Sequence, residues 1–127
     1  MEQEYKELLL KDLCARLPYN IICKVEFRES GEYKSKNMFL SGVFTDEAYF
    51  TTESGSIYSN EYKPYLFPLS SMTKGQKYEY QYITERWMYD PAYSISDSID
   101  WLNKNHFDYR GLVEKGLAID ATGLNIY

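Results

Sequence analysis

Apolar residues near the start of the chain recur at the spacing of one helical face. That face consists of Leu9, Leu10, Leu13, Cys14 and Leu17. A stripe with this period is typical of an amphipathic helix that buries one side. Pro18 ends the pattern, because a proline pushes the residue before it out of helical geometry. The spacing therefore predicts a helix within residues 1–17.

Beyond this helix the hydrophobic period changes to two. The apolar side of the next segment consists of Ile21, Cys23, Val25 and Phe27. Three further alternating segments occupy residues 33–44, 48–52 and 57–62. Such alternation, interrupted by short polar turns, indicates antiparallel strands with one buried face. Gly42 suggests a bend or a bulge in the second strand. We assign one face of that strand to Met38, Leu40 and Phe44, and the other to Phe39 and Val43.

Residues 63–68 contain Pro64 and Pro68, which cannot donate hydrogen bonds to a sheet. We therefore expect an edge strand or an extended crossing there, and not a central strand. A helix followed by four or five short strands predicts a small, strongly bent antiparallel sheet or an SH3-like or Sm-like barrel over residues 20–69. The barrel alternative depends on the order of the elements and not on any residue signature.

Helical signals return after the sheet. Thr73 and Gln76 fit a capping box, in which each residue satisfies a backbone amide near the other. The apolar face of the helix that follows would consist of Tyr80, Ile83 and Trp87. Tyr78, Tyr80 and Tyr82 also alternate with a period of two, which leaves a strand open as the alternative.

A third helix is predicted to begin at Ser96 or Asp97 and to end at about Asn105. Its apolar stripe would consist of Ile95, Ile99, Leu102 and His106. A short final helix is predicted over residues 109–115, followed by a tail over residues 117–127. At 127 residues and 15.0 kDa, the chain has the size of one domain. The expected class is α+β, with a helix at 1–17, a sheet at 20–69, a helical cap at 73–116 and a tail at 117–127.

The net charge is −5 and the isoelectric point about 4.9, which argues against a protein whose main task is to neutralise nucleic-acid phosphates. No apolar run reaches the roughly 20 residues that cross a bilayer, and the first residues lack the basic charge of a secretory leader. We therefore expect a cytoplasmic location and no membrane partner. Cys14 and Cys23 are interpreted as buried small hydrophobic residues.

Candidate chemistry is sparse. The single histidine, His106, lies two residues before Asp108, and such a pair could serve a hydrolase. Alternatively, His106 packs at the end of its helix, where a cationic form would suit the helix dipole. The two cysteines and His106 supply three ligands, whereas a structural zinc site needs four. Asp97 and Asp100 suit a first helical turn, and Asp108 suits a cap. No phosphate-binding glycine loop is present, so we predict no catalytic residue, metal or cofactor.

Basic residues of the first hairpin offer a second candidate site. They are Lys24, Arg28, Lys34 and Lys36. With neighbouring aromatic rings they could bind single-stranded nucleic acid or a nucleotide. Acidic residues interleave with them, namely Glu26, Glu29 and Glu32. The alternative is therefore a solvated hairpin of mixed charge, and a nucleic-acid partner is not favoured.

Tyrosine is the unusual component: the chain has fourteen, within an aromatic content of 17%. Tyrosine is enriched among the residues that anchor protein interfaces. Three tyrosines spaced by two cannot all face inward on a helix, because two positions rotate the side chain by about 200°. The candidate binding residues are Tyr58, Tyr62, Tyr65, Tyr78, Tyr80, Tyr82, Tyr89 and Tyr93. The alternative is that these tyrosines cover a thin sheet as core residues.

Four segments together resemble a family of short uncharacterised proteins that recurs in phages and prophages of gut anaerobic bacteria. They are residues 11–19 (KDLCARLPY), 63–73 (KPYLFPLSSMT), 101–103 (WLN) and 106–118 (HFDYRGLVEKGLA). The resemblance implies a phage accessory protein in a bacterial host cell. It implies no activity, cofactor or catalytic residue.

The leading hypothesis is a non-enzymatic module that binds a host or phage protein, or a second copy of itself, through a tyrosine-rich surface. The first alternative is a small-barrel binder of single-stranded nucleic acid or a nucleotide. The second is a hydrolase that uses His106 and Asp108.

Overall fold

The computed structural model describes residues 2–86, 88–90, 92 and 95–127. The fold is α+β, with a helix before a mixed sheet and two helices after its main strands. The helices are α1 (Gln3–Arg16), α2 (Lys74–Arg86) and α3 (Ile95–Lys104). The strands are β1 (Ile22–Glu29), β2 (Glu32–Val43), β3 (Ala48–Thr52), β4 (Gly55–Ser59), β5 (Glu61–Pro68), β6 (Phe107–Asp108) and β7 (Ile119–Asp120). No helix of the described residues has the length and apolar character needed to cross a membrane.

The strands form a sheet in the order β4-β3-β2-β1-β5-β6, and β7 also pairs with β5. The first five strands pair antiparallel, whereas β6 and β7 run parallel to β5. Over the described residues the sheet is open and not closed into a barrel. The two short parallel strands come from the C-terminal part of the chain, where the sequence indicated helix and tail.

Period-two alternation correctly predicts the buried face of β1. Cys23 and Val25 are fully buried, and each faces the core from β1. A two-residue turn joins β1 to β2, with Ser30 at φ 53° and Gly31 at φ 81°. Two positive φ angles define the type I′ turn that matches the twist of a hairpin. This turn sets the register in which Arg28 opposes Tyr33.

The bulge predicted at Gly42 is confirmed, because the pairing of β2 with β3 shifts between Leu40 and Gly42. The bulge reverses the faces beyond it. Val43 packs against the core, while Phe44 is exposed. The assignment of Phe44 to the face of Leu40 was therefore wrong, since one extra residue moves every later side chain to the opposite face.

Strand β5 lies between β1 and β6 in the order of the sheet, but within the described residues no stretch of it is paired on both sides, which agrees with the expectation that residues 63–68 are not a central strand. Its residues 61–64 pair with β1, and its residues 65–68 pair with β7 and β6. Each half of β5 thus has a strand partner on one side. Pro64 and Pro68 are tolerated because neither interrupts a stretch that is paired on both sides.

A phenol fills the gap where β1 and β5 diverge. The Tyr127 hydroxyl accepts a hydrogen bond from the Ile22 backbone amide at 3.0 Å and donates to the Tyr65 carbonyl oxygen at 2.8 Å. The phenol oxygen therefore links the two strands by two hydrogen bonds, in place of a direct hydrogen bond between their backbones. Burial raises the pKa of this phenol well above its usual value, so it remains a donor at neutral pH.

The main core lies between α1 and the sheet. Leu9 and Leu13 of the predicted helical stripe are buried there. Cys14 is exposed and Cys23 is buried, and both thiols are free. The prediction that Cys14 is buried was wrong, because α1 turns Asp12 and Arg16 inward instead. Those two side chains form a fully buried ion pair.

A second core joins α2 and α3 to the end of β5. Its buried residues are Trp101, Leu102 and Phe107, with Phe67, Met72, Tyr80, Ile83 and Tyr109 packed around them. The capping box of α2 is confirmed in both directions. The Gln76 amide donates to Thr73 Oγ1 at 3.1 Å, and the Thr73 amide donates to Gln76 Oε1 at 2.9 Å. Segment 78–82 is therefore helix and not strand; Trp87 lies outside the described residues.

The predicted stripe of α3 is correct at Leu102, which is buried, and wrong in the first half of the helix. Ile95 and Ile99 are exposed, whereas Ser98 and Trp101 are buried beside Leu102. Packing of the large Trp101 ring against Phe107, with centroids 5.6 Å apart, selects this orientation. Helix α3 extends over Ile95–Lys104, so Ser96 and Asp97 lie in its first described turn.

The final helix predicted at 109–115 is a series of turns. The Asp108 carboxylate accepts hydrogen bonds from the amides of Arg110, Leu112 and Val113 at 3.3, 3.0 and 2.9 Å. These bonds hold the amides in a loop that wraps around one side chain. Asp108 is a cap, as the sequence predicts, but it caps a turn.

Candidate functional site: exposed aromatic surfaces

A row of large side chains is exposed along α2. Tyr78, Tyr82 and Arg86 are spaced by four residues, which places them on one helical face. The Arg86 guanidinium lies 4.8 Å from the centroid of the Tyr82 ring, within cation–π range. Tyr89 follows in the next turn, where its amide donates to the Arg86 carbonyl at 3.0 Å. We call these four residues the α2 stripe.

The stripe is exposed to a degree that is unusual for aromatic side chains. Tyr78, Tyr82 and Tyr89 are 77%, 46% and 80% exposed. Met88 beside them is also exposed. Large apolar side chains that are grouped on a surface mark interaction sites more often than single ones do.

The opposite face of α2 holds the helix on the protein. The centroid of the Tyr80 ring lies 5.5 Å from that of Trp101, with the two rings tilted by 42°, and Ile83 packs in the same cluster. Thr84 lies 3.3 Å from the Ser98 hydroxyl of α3. Because these residues anchor the helix, the stripe is presented on an ordered support.

The structure divides the eight candidate tyrosines instead of joining them in one surface. Tyr78, Tyr82 and Tyr89 belong to the α2 stripe, and Tyr80 lies behind it. Tyr93 lies outside the described residues. The remaining three are on the sheet: Tyr58, Tyr62 and Tyr65.

Two of the sheet tyrosines are core residues. Tyr65 is 7% exposed, and its hydroxyl donates to Asn37 Oδ1 at 2.7 Å. Tyr62 packs against Phe50 with ring centroids 5.1 Å apart, and burial raises the pKa of its phenol to about 12. For Tyr62 and Tyr65 the alternative interpretation is therefore correct: both rings cover the sheet as part of the core and do not form a binding surface.

Tyr58 belongs to a separate aromatic patch on the sheet. Its ring centroid lies 4.7 Å from that of Tyr49 and 5.9 Å from that of Phe44. Phe44 and Tyr58 are both exposed. The sequence did not assign Phe44 or Tyr49 to a site, because the bulge at Gly42 is what turns Phe44 outward beside β4.

The predicted cluster of basic residues does not form. In the hairpin register, Lys34 opposes Phe27 and Lys36 opposes Val25, and directly opposed residues share a face. Lys24 and Arg28 alternate with Phe27 and Val25 along β1 and therefore lie on the other face. The four positive charges are split between the two faces of the sheet.

Charges near Arg28 are also balanced. The Arg28 guanidinium lies 5.4 Å from the centroid of the Tyr33 ring. The Tyr33 hydroxyl donates to a Glu61 carboxylate oxygen, and this bond raises the pKa of the phenol. The surface around Arg28 thus pairs one cation with acidic and aromatic neighbours, and it lacks the continuous positive potential that a phosphate chain requires.

His106 and Asp108 do not form a catalytic pair. The Asp108 carboxylate is occupied by three backbone amides, whereas the His106 ring stacks on Tyr127 with centroids 3.7 Å apart. His106 lies beyond α3 in the left-handed region at φ 62°. Burial and the positive charge of Arg16 lower its pKa to about 4. The imidazole is therefore neutral at pH 7, which corrects the expectation of a cation at a helix end.

Within the described ranges, no group of three or more His, Cys, Asp or Glu side chains is arranged to hold a metal ion. Comparisons with protein-family models, with curated proteins and with solved structures find no match for this chain.

Proposed function

We propose that this protein is a non-enzymatic binding module that engages a protein partner through the α2 stripe. The supporting observation is the exposure of Tyr78, Tyr82 and Tyr89 along a helix whose other face is anchored. A tyrosine gives a large contact area for two side-chain torsions, so it anchors an interface at low entropic cost. Arg86 adds a cation of the type that is enriched at interface hot spots.

The partner is proposed to be a protein of a phage or of its bacterial host, in keeping with the four resembling segments, and a cytoplasmic setting is proposed with it. The alternative of a small barrel that binds nucleic acid has less support, because the basic residues are divided between two faces of the sheet. A hydrolase has less support still, because Asp108 is committed to backbone amides.

The test begins with affinity purification from infected or lysogenic cells, followed by titration of the purified captured protein in a calorimeter. The double variant Tyr78→Ser/Tyr82→Ser should weaken binding by at least about tenfold, since interface tyrosines are frequent hot spots. Its melting temperature should stay close to that of the parent protein, because both side chains are exposed.

Two control variants make the result specific. Tyr58→Ser removes an equally exposed tyrosine from the sheet patch and should leave affinity unchanged. Tyr80→Ser should lower stability, because Tyr80 packs on Trp101. The proposal fails if the double variant binds like the parent protein, or if Tyr58→Ser weakens binding as much as the double variant does.

A further inference from the structure

A second site lies on another part of the molecule, where a cleft of about 560 Å³ opens beside β1 and β2. Four segments of the chain converge on it: the turn after α1, the first hairpin, the residues after α3 and the end of the described tail. Its principal lining residues are Tyr19, Ile22, Phe39, Lys104, His106 and Tyr127. The volume lies in the range of small-molecule sites in proteins.

One wall of the cleft is a stacked pair of rings held in place from behind. The His106 and Tyr127 rings are nearly parallel, at 12°, with centroids 3.7 Å apart. The Tyr127 hydroxyl is tied to the backbone of Ile22 and Tyr65. A wall fixed in this way loses little freedom when a ligand binds, so less binding energy is spent on ordering it.

The cleft also has an exposed aromatic surface. Phe39 is 47% exposed, although it lies in the middle of β2 between strands on both sides. A planar ring could lie against Phe39 and the neighbouring ring pair and so cover apolar surface that is now in contact with water. Aromatic pairs of this type contribute beyond the area they bury.

The charge of the cleft selects the sign of its ligand. Lys104 has the one charged side chain among the lining residues, and no lining side chain is acidic, in a protein whose net charge is −5. Among the described residues Lys104 has no carboxylate within ion-pair distance. The neighbouring imidazole of His106 is neutral at pH 7, because burial and Arg16 lower its pKa.

We propose that this cleft binds a small planar anion of the aromatic carboxylate or sulfonate class, with its ring against Phe39 and the His106–Tyr127 pair and its charge towards Lys104. The site is separate from the α2 stripe and does not depend on the proposed protein partner.

The test uses two fluorescent probes that share an aromatic framework and differ in charge. 1-Anilinonaphthalene-8-sulfonate is the anion, and N-phenyl-1-naphthylamine is its uncharged counterpart. The anion should bind saturably with one site per chain. In amide-resolved NMR titrations the largest shifts should occur at Ile22, Phe39 and Lys104.

Variants assign the two parts of the site. Phe39→Ala should weaken binding of both probes by about tenfold or more, while Phe44→Ala, which removes an equally exposed phenylalanine elsewhere on the sheet, should have no effect. Lys104→Gln should lower the affinity for the anionic probe by about two- to fivefold, the range of an exposed ion pair. It should leave the affinity for the uncharged probe unchanged. Lys77→Gln on α2 is the matched charge control.

Three results would each overturn the proposal. The first is no saturable binding of the anion at millimolar concentration. The second is equal loss of affinity from Phe39→Ala and Phe44→Ala, or an anion affinity that Lys104→Gln leaves unchanged. The third is loss of the fluorescence signal in Tyr78→Ser/Tyr82→Ser, which would place the probe on the α2 stripe as an adventitious additive only. Melting temperatures of all variants exclude unfolding as the cause.

Discussion

The buried pair of Asp12 and Arg16 leads to the sharpest prediction about stability. Both side chains are fully buried. The Asp12 carboxylate accepts hydrogen bonds from Arg16 Nε at 2.7 Å, from Arg16 Nη2 at 3.2 Å and from Arg110 Nη1 at 3.1 Å. The only other acceptor that Arg16 has among the described residues is the Phe107 carbonyl oxygen, at 2.6 Å. Asp12 is therefore the counter-ion of a guanidinium with no access to water.

Substitution Asp12→Asn removes that charge and leaves the volume nearly unchanged. One amide oxygen can still accept, but the new amide nitrogen faces a guanidinium donor. Removal of one partner from a buried ion pair costs about 3–5 kcal/mol, because the remaining charge stays desolvated. We expect a loss of this size in the free energy of unfolding, which corresponds to a fall of roughly 2 M in the urea midpoint.

The assay is urea unfolding followed by far-ultraviolet circular dichroism. Asp46→Asn is the matched control, since the Lys6–Asp46 pair is 42% and 83% exposed and contributes at most about 1 kcal/mol. The double variant Asp12→Leu/Arg16→Met should recover part of the loss, because it removes both fully buried charges. Arg110 loses its carboxylate partner in this variant, but its side chain is 20% exposed and can be solvated. If Asp12→Asn lowers stability no more than Asp46→Asn does, the account of this core is refuted.

Three other predictions concern single groups. Stability should fall as the pH drops from about 6.5 towards 4, because His106 takes up a proton in the unfolded chain but stays neutral in the folded protein, where its pKa is about 4. The dependence of the urea midpoint on pH over this range should be lost in His106→Phe. An NMR titration that gives His106 an ordinary histidine pKa would contradict the prediction. Tyr127→Phe should cost about 0.5–1.5 kcal/mol in urea unfolding, because backbone groups of Ile22 and Tyr65 lose a hydrogen-bond partner. An unchanged urea midpoint would show that water replaces the phenol. In the native protein, a thiol reagent should label Cys14 and not Cys23, whose pKa burial raises, so mass spectrometry should find one label per chain and two after denaturation.

Some features of this fold depend only on residues that are close together in the sequence, and these features were predictable. The alternation of Cys23 and Val25 on β1 reflects a strand with one buried face, whatever its partners are. The capping box of Thr73 and Gln76 is complete within four residues. Patterns of this kind depend on local chemistry, so they can be recognised before the chain is folded.

The turn of the first hairpin determines which faces the basic residues occupy. Ser30 and Gly31 suit a two-residue hairpin turn, and that turn length makes Arg28 oppose Tyr33. Lys34 then falls on the face of Phe27, away from Arg28. The information is local, but it becomes visible only when the turn type is used to set the register.

Other features were decided by contacts between distant parts of the chain. The second half of β5 has strand partners because β6 and β7 arrive from some forty to fifty residues later in the chain to pair with it. Tyr65 and Tyr78 are both among the eight candidate binding residues, yet one is buried in the sheet and the other is exposed on α2. Residue type alone could not separate them.

The sequence by itself thus determined the class of fold, the strand periodicity and the helix starts that carry a local cap. Tertiary structure alone decided which tyrosines remain in water and where the cleft beside Lys104 opens. The physical reason is that side-chain exposure depends on what packs against a residue, and in this protein the packing partners come from segments far apart in the chain.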